Sequence, residues 1–313
     1  MAGNPNFDEI LSTTLANHMP KIVDNVFSAR PLAYFLKQAG QVRVIGGGNK
    51  IVLPLMYGQN STAGSYAAYD TIDITPQTGI TAAEYNWKQY AATIAISGIE
   101  EAQNSSEEAI IDLLEAKTFQ AEETITEQMD QMFILSDGTG NSGKDWLGLE
   151  ILVRDAQATV GGIDASTESW WESYVDGGAA SLSLADMRTA YNSVSVGNDQ
   201  PNVILTEQTL YEAYEDLLQD QLRFADSTTA DAGFQNLLFK GAPVVYDSNV
   251  TTGDMFFLNT KYIRLVGHSD VWFKPTPFVR PDNQDARYAQ ILCYGELTVS
   301  NRKRQGVLTD RTA

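Results

Sequence analysis

The stretch SSEEAIIDLLEAKTFQAEETITEQMDQMFIL, from Ser105 to Leu135, decides the architecture. Ser105 is an N-cap residue, and Glu108 three positions on completes a capping box. Glu107 and Glu108 also suit the positive end of a helix dipole. Ile111, Leu114, Thr118, Ala121, Ile125, Met129 and Met132 step by three and four, as one face of a helix does. The spacing predicts a helix from Ser106 to about Leu135, about 30 residues or ~45 Å long at 1.5 Å per residue. Few globular helices reach that length. It stops at Ser136-Asp137-Gly138-Thr139-Gly140, a cluster of turn residues.

Towards the N-terminus, Val42–Ile45, the glycines 46–48 and Ile51–Leu55 read as strand, turn, strand. Pro54 points to an edge position. A second extended stretch runs from about Ile80 to Ile96. The segment between, from Met56 to Asp70, is rich in glycine, serine and tyrosine, with little to hold it to a core. Loops longer than ~12–15 residues without their own structure are usually functional or disordered. Tyrosine suits interfaces, having an apolar ring and a polar tip. The expectation is a hairpin arm that orders against a neighbouring subunit, with Tyr57, Gln59, Tyr66, Tyr69 and Asp70 making the contact. Before it, Phe7, Ile10, Leu11, Leu15 and Met19 approach helical spacing, and Pro20 and Pro31 punctuate the chain after them. That region reads as an arm of modest local structure.

Beyond the long helix, residues 156–252 read as mixed α/β. Ser183 caps a helix bearing Leu184, Met187, Tyr191 and Val194. Val203–Leu205 is a strand, and Thr206 caps a helix carrying Leu210, Tyr214, Leu217, Leu218 and Leu222. The remainder, from Val244 to Val299, is strand-rich.

The chain has 313 residues, 43% of them hydrophobic, enough for one large or two modest domains. Its formal net charge is −19. Phosphate neutralisation supplies most nucleic-acid affinity, so a broad DNA-binding face is not expected. Solubility alone explains that charge, and so does an acidic wall along which packed DNA slides. The single cysteine, Cys293, excludes an intrachain disulfide and a cysteine zinc cage, and its apolar surroundings suggest a buried small hydrophobe. No apolar run approaches ~20 residues, so no membrane span is expected. The start lacks a signal-peptide pattern, which points to synthesis in a cytoplasm.

Chemical motifs fail on inspection. Gly138–Lys144 fits G-x-x-x-x-G-K, but Asp145 stands where a P-loop needs a hydroxyl for magnesium, and the loop follows a helix rather than a strand. His18 and His268 sit in no ligand or triad pattern. Asp247-Ser248-Asn249 reads as a turn rather than a calcium loop. Arg302-Lys303-Arg304 reads as solvated charge. The expectation is no catalytic residue, no metal and no cofactor.

The order of these parts resembles the Hong Kong 97-type major capsid protein of tailed bacteriophages. Asp137-Gly138-Thr139-Gly140 after the long helix, Val160–Asp164 leading to Trp170-Trp171, and Phe239–Asp247 followed by Gly253–Asn259 are each similar to phage coat sequences. The resemblance covers nearly the whole chain. It implies an α+β fold with an N-arm at 1–40 and an E-loop hairpin at 41–98. A peripheral domain would comprise the spine helix within 99–155 and strands in 256–313, and an axial α/β domain would span 156–255. It implies hexamers and pentamers in an icosahedral shell around double-stranded DNA, located in the virion after assembly in a host cytoplasm. Portal, scaffolding and decoration proteins are the implied partners. No lysine lies between Lys50 and Lys88, which speaks against the covalent crosslinking some members use. An encapsulin, a cargo compartment of the same fold, is the alternative. A nucleotide enzyme using Gly138–Lys144 and a monomeric adhesive domain are readings from other classes.

Overall fold

The computed structural model describes Leu15, Val23 and residues 30–103, 107–218 and 237–313. Most of the helix expected over 7–19, and the Ser105 cap, lie outside these residues. Pro31 does more than punctuate. It opens helix α1 (Pro31–Gln38), where a missing N–H costs nothing and a fixed φ helps. Leu32, Ala33 and Leu36 of α1 are buried.

Strand β1 (Val42–Ile45) is followed by β2 (Ile51–Met56), β3 (Ile80–Tyr85) and β4 (Lys88–Ser97). The glycine turn does not fold β1 back onto β2. β2 pairs only with β3, from Ile51↔Tyr85 to Met56↔Ile80, with Pro54 in this two-stranded ribbon. The single extended stretch expected at 80–96 breaks at Asn86-Trp87, and β4 leaves the ribbon for a larger sheet. The two-stranded ribbon thus comprises residues 51–85, inside the segment 41–98 expected for the hairpin arm.

Helix α2 (Gly98–Gln103) leads to the long helix α3 (Glu107–Leu135), 29 residues with the bounds read from the sequence. From Thr118 onward its buried positions are 118, 121, 122, 125, 126, 129, 130, 133 and 134. The expected apolar stripe is there, with Phe133 buried where Met132 was expected and Met132 half-buried. Beside it runs a second buried stripe that is polar: Glu122, Thr126 and Asp130.

After a π-helical turn at Glu150–Arg154 come β5 (Thr159–Val160) and β6 (Ile163–Asp164), a tight hairpin. Next are β7 (Tyr174–Gly177), helix α4 (Leu184–Val194), β8 (Val203–Thr206), helix α5 (Gln208–Leu218), β9 (Leu237–Phe239), β10 (Ala242–Tyr246) and β11 (Met255–Leu258). Ser183 caps α4 as expected, its Oγ accepting from the Asp186 N–H at 3.2 Å. The chain closes with β12 (Ile263–His268), β13 (Lys274–Pro275), β14 (Ala286–Val299) and β15 (Gly306–Thr309).

Two sheets organise the body. The first runs β1-β12-β14-β13, with β4 also on β14. β14 is long enough to pair β4 along Ala286–Gly295 and β12 along Gly295–Val299. The second runs β7-β15-β11-β8-β10-β9. The expected boundary at 255/256 thus falls inside β11, and β15 returns to lie between β7 and β11. β8, β11 and β15 are buried at every residue. Each is covered on both faces, which is why they read as continuous apolar runs rather than alternating ones. Ile204, Val244, Met255, Phe257 and Leu308 face one core with α4 and α5. Leu205, Phe256, Leu258 and Val307 face the larger core that α3 shares.

Arg302 corrects the sequence reading. It is fully buried, and its guanidinium donates to the carbonyls of Leu152 and Ala158, both at 3.0 Å, and to those of Ile151 and Asp155. A bare triplet of basic residues looks the same in sequence whether solvated or interior. Arg304 reaches Asp199 at 3.6 Å, and only Lys303 is exposed.

Candidate assembly interface

The arm is held at its root and open at its tip. At the root, the Glu84 N–H donates to Gly161 O at 2.9 Å, tying β3 to the β5–β6 turn. Lys50 and Glu84 form an ion pair at 2.7 Å across the ribbon. Where β2 and β3 end, the Tyr57 and Gly58 N–H groups both donate to Gly79 O. A Cβ on Gly79 would stand 3.0 Å from Gly58 O, so glycine lets the two strands pinch together.

Beyond that pinch the bonds are local. Ser61 Oγ donates to Gln77 Oε1 at 2.8 Å, Asn60 Oδ1 accepts from the Thr62 N–H, and Asp70 Oδ2 accepts from the Ala67 N–H at 2.7 Å. Asp73 accepts from the Thr75 N–H and hydroxyl, which holds its carboxyl below the usual range. Short polar side chains shape the loop without anchoring it to the body.

The five residues expected at the contact divide. Tyr57 stacks on Trp170 of its own chain, centroids 5.0 Å apart and planes 18° apart. It braces the arm from below. Gln59 and Asp70 are exposed. Tyr66 is 70% exposed and Tyr69 wholly so. Tyrosine is not the whole of it: Met56, Ile72, Ile74 and Ile80 are all exposed, Ile74 at 90%. The alternation Ile72, Ile74 with Thr71, Asp73, Thr75 was the available signal, since alternate residues of an extended chain share a face. Single exposed apolar residues are ordinary; these four lie together on one thin ribbon.

Beside the arm's root lies a groove. Its first part, about 640 Å³, is lined by Trp87, Lys88, Tyr90, Lys144, Trp146 and Tyr294 among others. Its second, about 440 Å³, continues along β4 from Tyr90 to Ala95, against Lys117, Gln120, Ala121 and Thr124 of α3. The Gly138–Lys144 loop forms its lip: Asp137 Oδ1 accepts from the Thr139 N–H at 2.8 Å, and Asn141 and Ser142 take left-handed backbone. Beneath the loop, Glu296 is buried and accepts from the Leu147 N–H at 2.7 Å and the Leu297 N–H at 3.0 Å. Burial pushes its carboxyl up to about 8.

Other motifs are accounted for structurally. Cys293 is buried, and burial pushes its thiol up to about 12. His268 accepts from the Asp270 N–H through Nδ1 and meets the Trp87 ring edge-on. Asp247 Oδ1 accepts from the Asn249 N–H at 3.0 Å, the turn the sequence suggested. Among the described residues, no group of three or more His, Cys, Asp or Glu could hold a metal ion. No helix among them is long and apolar enough to cross a membrane.

No protein-family model matches this sequence, and no curated protein matches it. Solved structures do. The capsid of cyanophage A-1(L) superposes with a TM-score of 0.64 at 18% identity, covering 89% of this chain and 93% of that one. The capsid of a native GTA particle gives 0.59 at 12%, covering 88% and 90%. The holo-SrpI encapsulin complex of Synechococcus elongatus gives 0.57 at 11%, covering 89% and 87%. The chain has the α+β Hong Kong 97-type fold, that of tailed-phage major capsid proteins.

Proposed function

We propose that this chain is the major capsid protein of a tailed bacteriophage, a non-catalytic subunit that builds the icosahedral head around double-stranded DNA. The supporting observation is the open arm, whose Tyr66, Tyr69, Ile72 and Ile74 are exposed in the single chain. Each arm would lie across an adjacent subunit, and repeated weak contacts would sum to a stable shell. In this reading 1–40 is an N-arm and 41–98 the E-loop. The α3 spine and the sheet built on β14 form a peripheral domain, and the region around 156–255 clusters at capsomer centres as an axial domain. Hexamers and pentamers assemble in the host cytoplasm with portal and scaffolding proteins. The arm tip lacks lysine, so noncovalent contacts or a decoration protein hold the shell. A net charge of −19 keeps the inner wall from gripping DNA.

The encapsulin-type reading has its own support in the likeness to the SrpI complex. Negative-stain imaging of the purified protein, with analysis of particle contents, separates the two. Closed shells from phage-infected cells that contain DNA support the capsid reading; shells that hold an enzyme support the other. A monodisperse monomer at all concentrations would overturn both. Replacing Tyr66 and Tyr69 together by serine should leave soluble capsomers without shells, and normal particles from that variant would refute the arm's role.

A further inference from the structure

Helix α1, the long helix α3 and the turn after β10 meet inside the body. α1 packs against α3, β8 and β12. The turn is tied to β8, because the Asp247 N–H donates to Thr206 O at 2.9 Å. It is closed by the Val250 N–H, which donates to Asp247 O at 3.2 Å. Leu36 of α1, Met129 and Phe133 of α3, Leu205 of β8 and Val250 of the turn share one apolar core. Beside that core stand two carboxyls, Asp130 of α3 at 2% exposure and Asp247 of the turn at 3%.

One oxygen of each carboxyl is satisfied by Asn249. Its N–H donates to Asp247 Oδ1 at 3.0 Å and its side-chain amide donates to Asp130 Oδ2. The other two, Asp130 Oδ1 and Asp247 Oδ2, are buried without a hydrogen-bond partner among the described residues. Arg30, the N-cap residue of α1, has its Nε in the same condition. Buried polar atoms are nearly always paired, so three spare atoms at one junction call for an account. The nearby hydroxyls are spent elsewhere: Thr206 donates to Asp254 O at 3.1 Å and Thr126 to Glu122 O at 2.9 Å. The Glu122 carboxyl belongs to a residue eight positions back on α3, ~12 Å along the helix. Arg30 is the cation whose charge acts on both Asp130 and Asp247.

We propose that Asp130, Asp247 and Arg30 form a proton-operated latch between the long helix and the sheet of β8 and β10. In the closed state one proton lies between Asp130 Oδ1 and Asp247 Oδ2, and the turn is clamped to α3 through it and through Asn249. When that proton leaves for solvent, two carboxylates share apolar surroundings, where like charges are least tolerated. They repel, the turn draws back from α3, and the Arg30 guanidinium takes up the freed charge. The latch is shut in acid and open in alkali. The long helix and the sheet move as one body in the first state and as two in the second. This device belongs to the single folded chain and holds whatever the chain assembles into.

Amide hydrogen exchange on the full chain, followed in steps from about pH 5 to about pH 8 and corrected for the intrinsic rate at each step, reads the latch directly. Protection over residues 126–134 and 245–250 should fall about tenfold or more across that range, since each pH unit of proton linkage is worth a factor of ten. Helix α4 (Leu184–Val194), which packs in the other core, should keep its protection.

Asp130→Asn keeps the side-chain shape and puts a permanent donor where the proton sat, so the change in protection should shrink to about twofold or less. Asp247→Asn should do the same, and it replaces the first variant if that one does not fold. Arg30→Gln should move the fall to higher pH, because without the cation the pair holds its proton longer. A residue that only packs would loosen the junction alike at every pH and leave the midpoint in place. A full fall in both asparagine variants, a parent loss shared equally by α4, or an Arg30→Gln midpoint equal to the parent's overturns the latch.

Discussion

Asp130 on the long helix and Asp247 after β10 form a buried carboxyl pair joined through Asn249. Asn249 bridges them, its N–H donating to Asp247 and its side-chain amide to Asp130. Asp130 Oδ1 and Asp247 Oδ2 are buried without a hydrogen-bond partner. One proton held between the two carboxyls would satisfy both. The pair joins the spine helix to the sheet of β8 and β10, so its protonation bears on how firmly the two are locked.

Burial pushes both carboxyls above the ordinary aspartate range, and the charge of Asp247 adds to the shift of Asp130. The Arg30 charge opposes this for both. The folded protein thus keeps a proton that the unfolded chain releases. The stabilisation is full below about pH 4 and is lost as pH rises through the raised folded value. Asp130→Asn should flatten that fall by an amount on the order of 2 kcal/mol between pH 5 and 8. Urea denaturation at the two pH values measures it. Asp254, pushed up to about 6, and Glu296, up to about 8, carry the same sign and leave a residual slope. A variant as steep as the parent would show that the pair holds no shared proton.

Arg302 gives a sharper contrast. Its four acceptor carbonyls, of residues 151, 152, 155 and 158, belong to the π-turn and the segment after it. Burial lowers its own pKa to about 10, so the cation persists at neutral pH. Lysine has no planar fork to span those carbonyls. Arg302→Lys should cost about 3 kcal/mol or more, the penalty for buried acceptors left unpaired. Lys303→Ala, one residue away and exposed, should stay within about 0.5 kcal/mol of the parent. Thermal unfolding of both variants decides it, and equal effects would mean that Arg302 is not the staple.

These two sites also mark where the sequence was readable and where it was not. The 29-residue helix was legible because its period repeats over eight turns, and α4 because Ser183 announces it. The arm was legible by what it lacks, a run of apolar residues to bury. The pairing of β15 with β7 and β11 was not, since nothing local to Gly306–Thr309 reports a partner more than forty residues away. Asp130 could not be singled out, because a 3.6-residue period records hydrophobicity and says nothing of a buried polar stripe. Tyr57 and Trp170 are separated by more than a hundred residues, so their stacking could only be seen in the fold.

The arm's root supplies a final prediction. Gly161 and Gly162 occupy the two central positions of the β5–β6 turn, both left-handed at φ +62 and +77. That is the signature of the tight turn that joins twisted strands, and it favours glycine twice. The two positions differ in their surroundings. A Cβ on Gly161 would stand 2.7 Å from Ala83 Cβ, on the arm strand whose Glu84 N–H binds Gly161 O. A Cβ on Gly162 would meet nothing within 4 Å. Gly162→Ala should therefore cost only the backbone term, about 1–2 kcal/mol. Gly161→Ala should cost roughly 1–3 kcal/mol more, because β3 must shift to admit the methyl group. Since β3 carries the arm, the second change should also misdirect the tip and reduce particle yield, whereas the first should leave assembly intact. Unfolding curves and sedimentation of the two variants side by side test this. Identical behaviour would mean that the turn does not aim the arm.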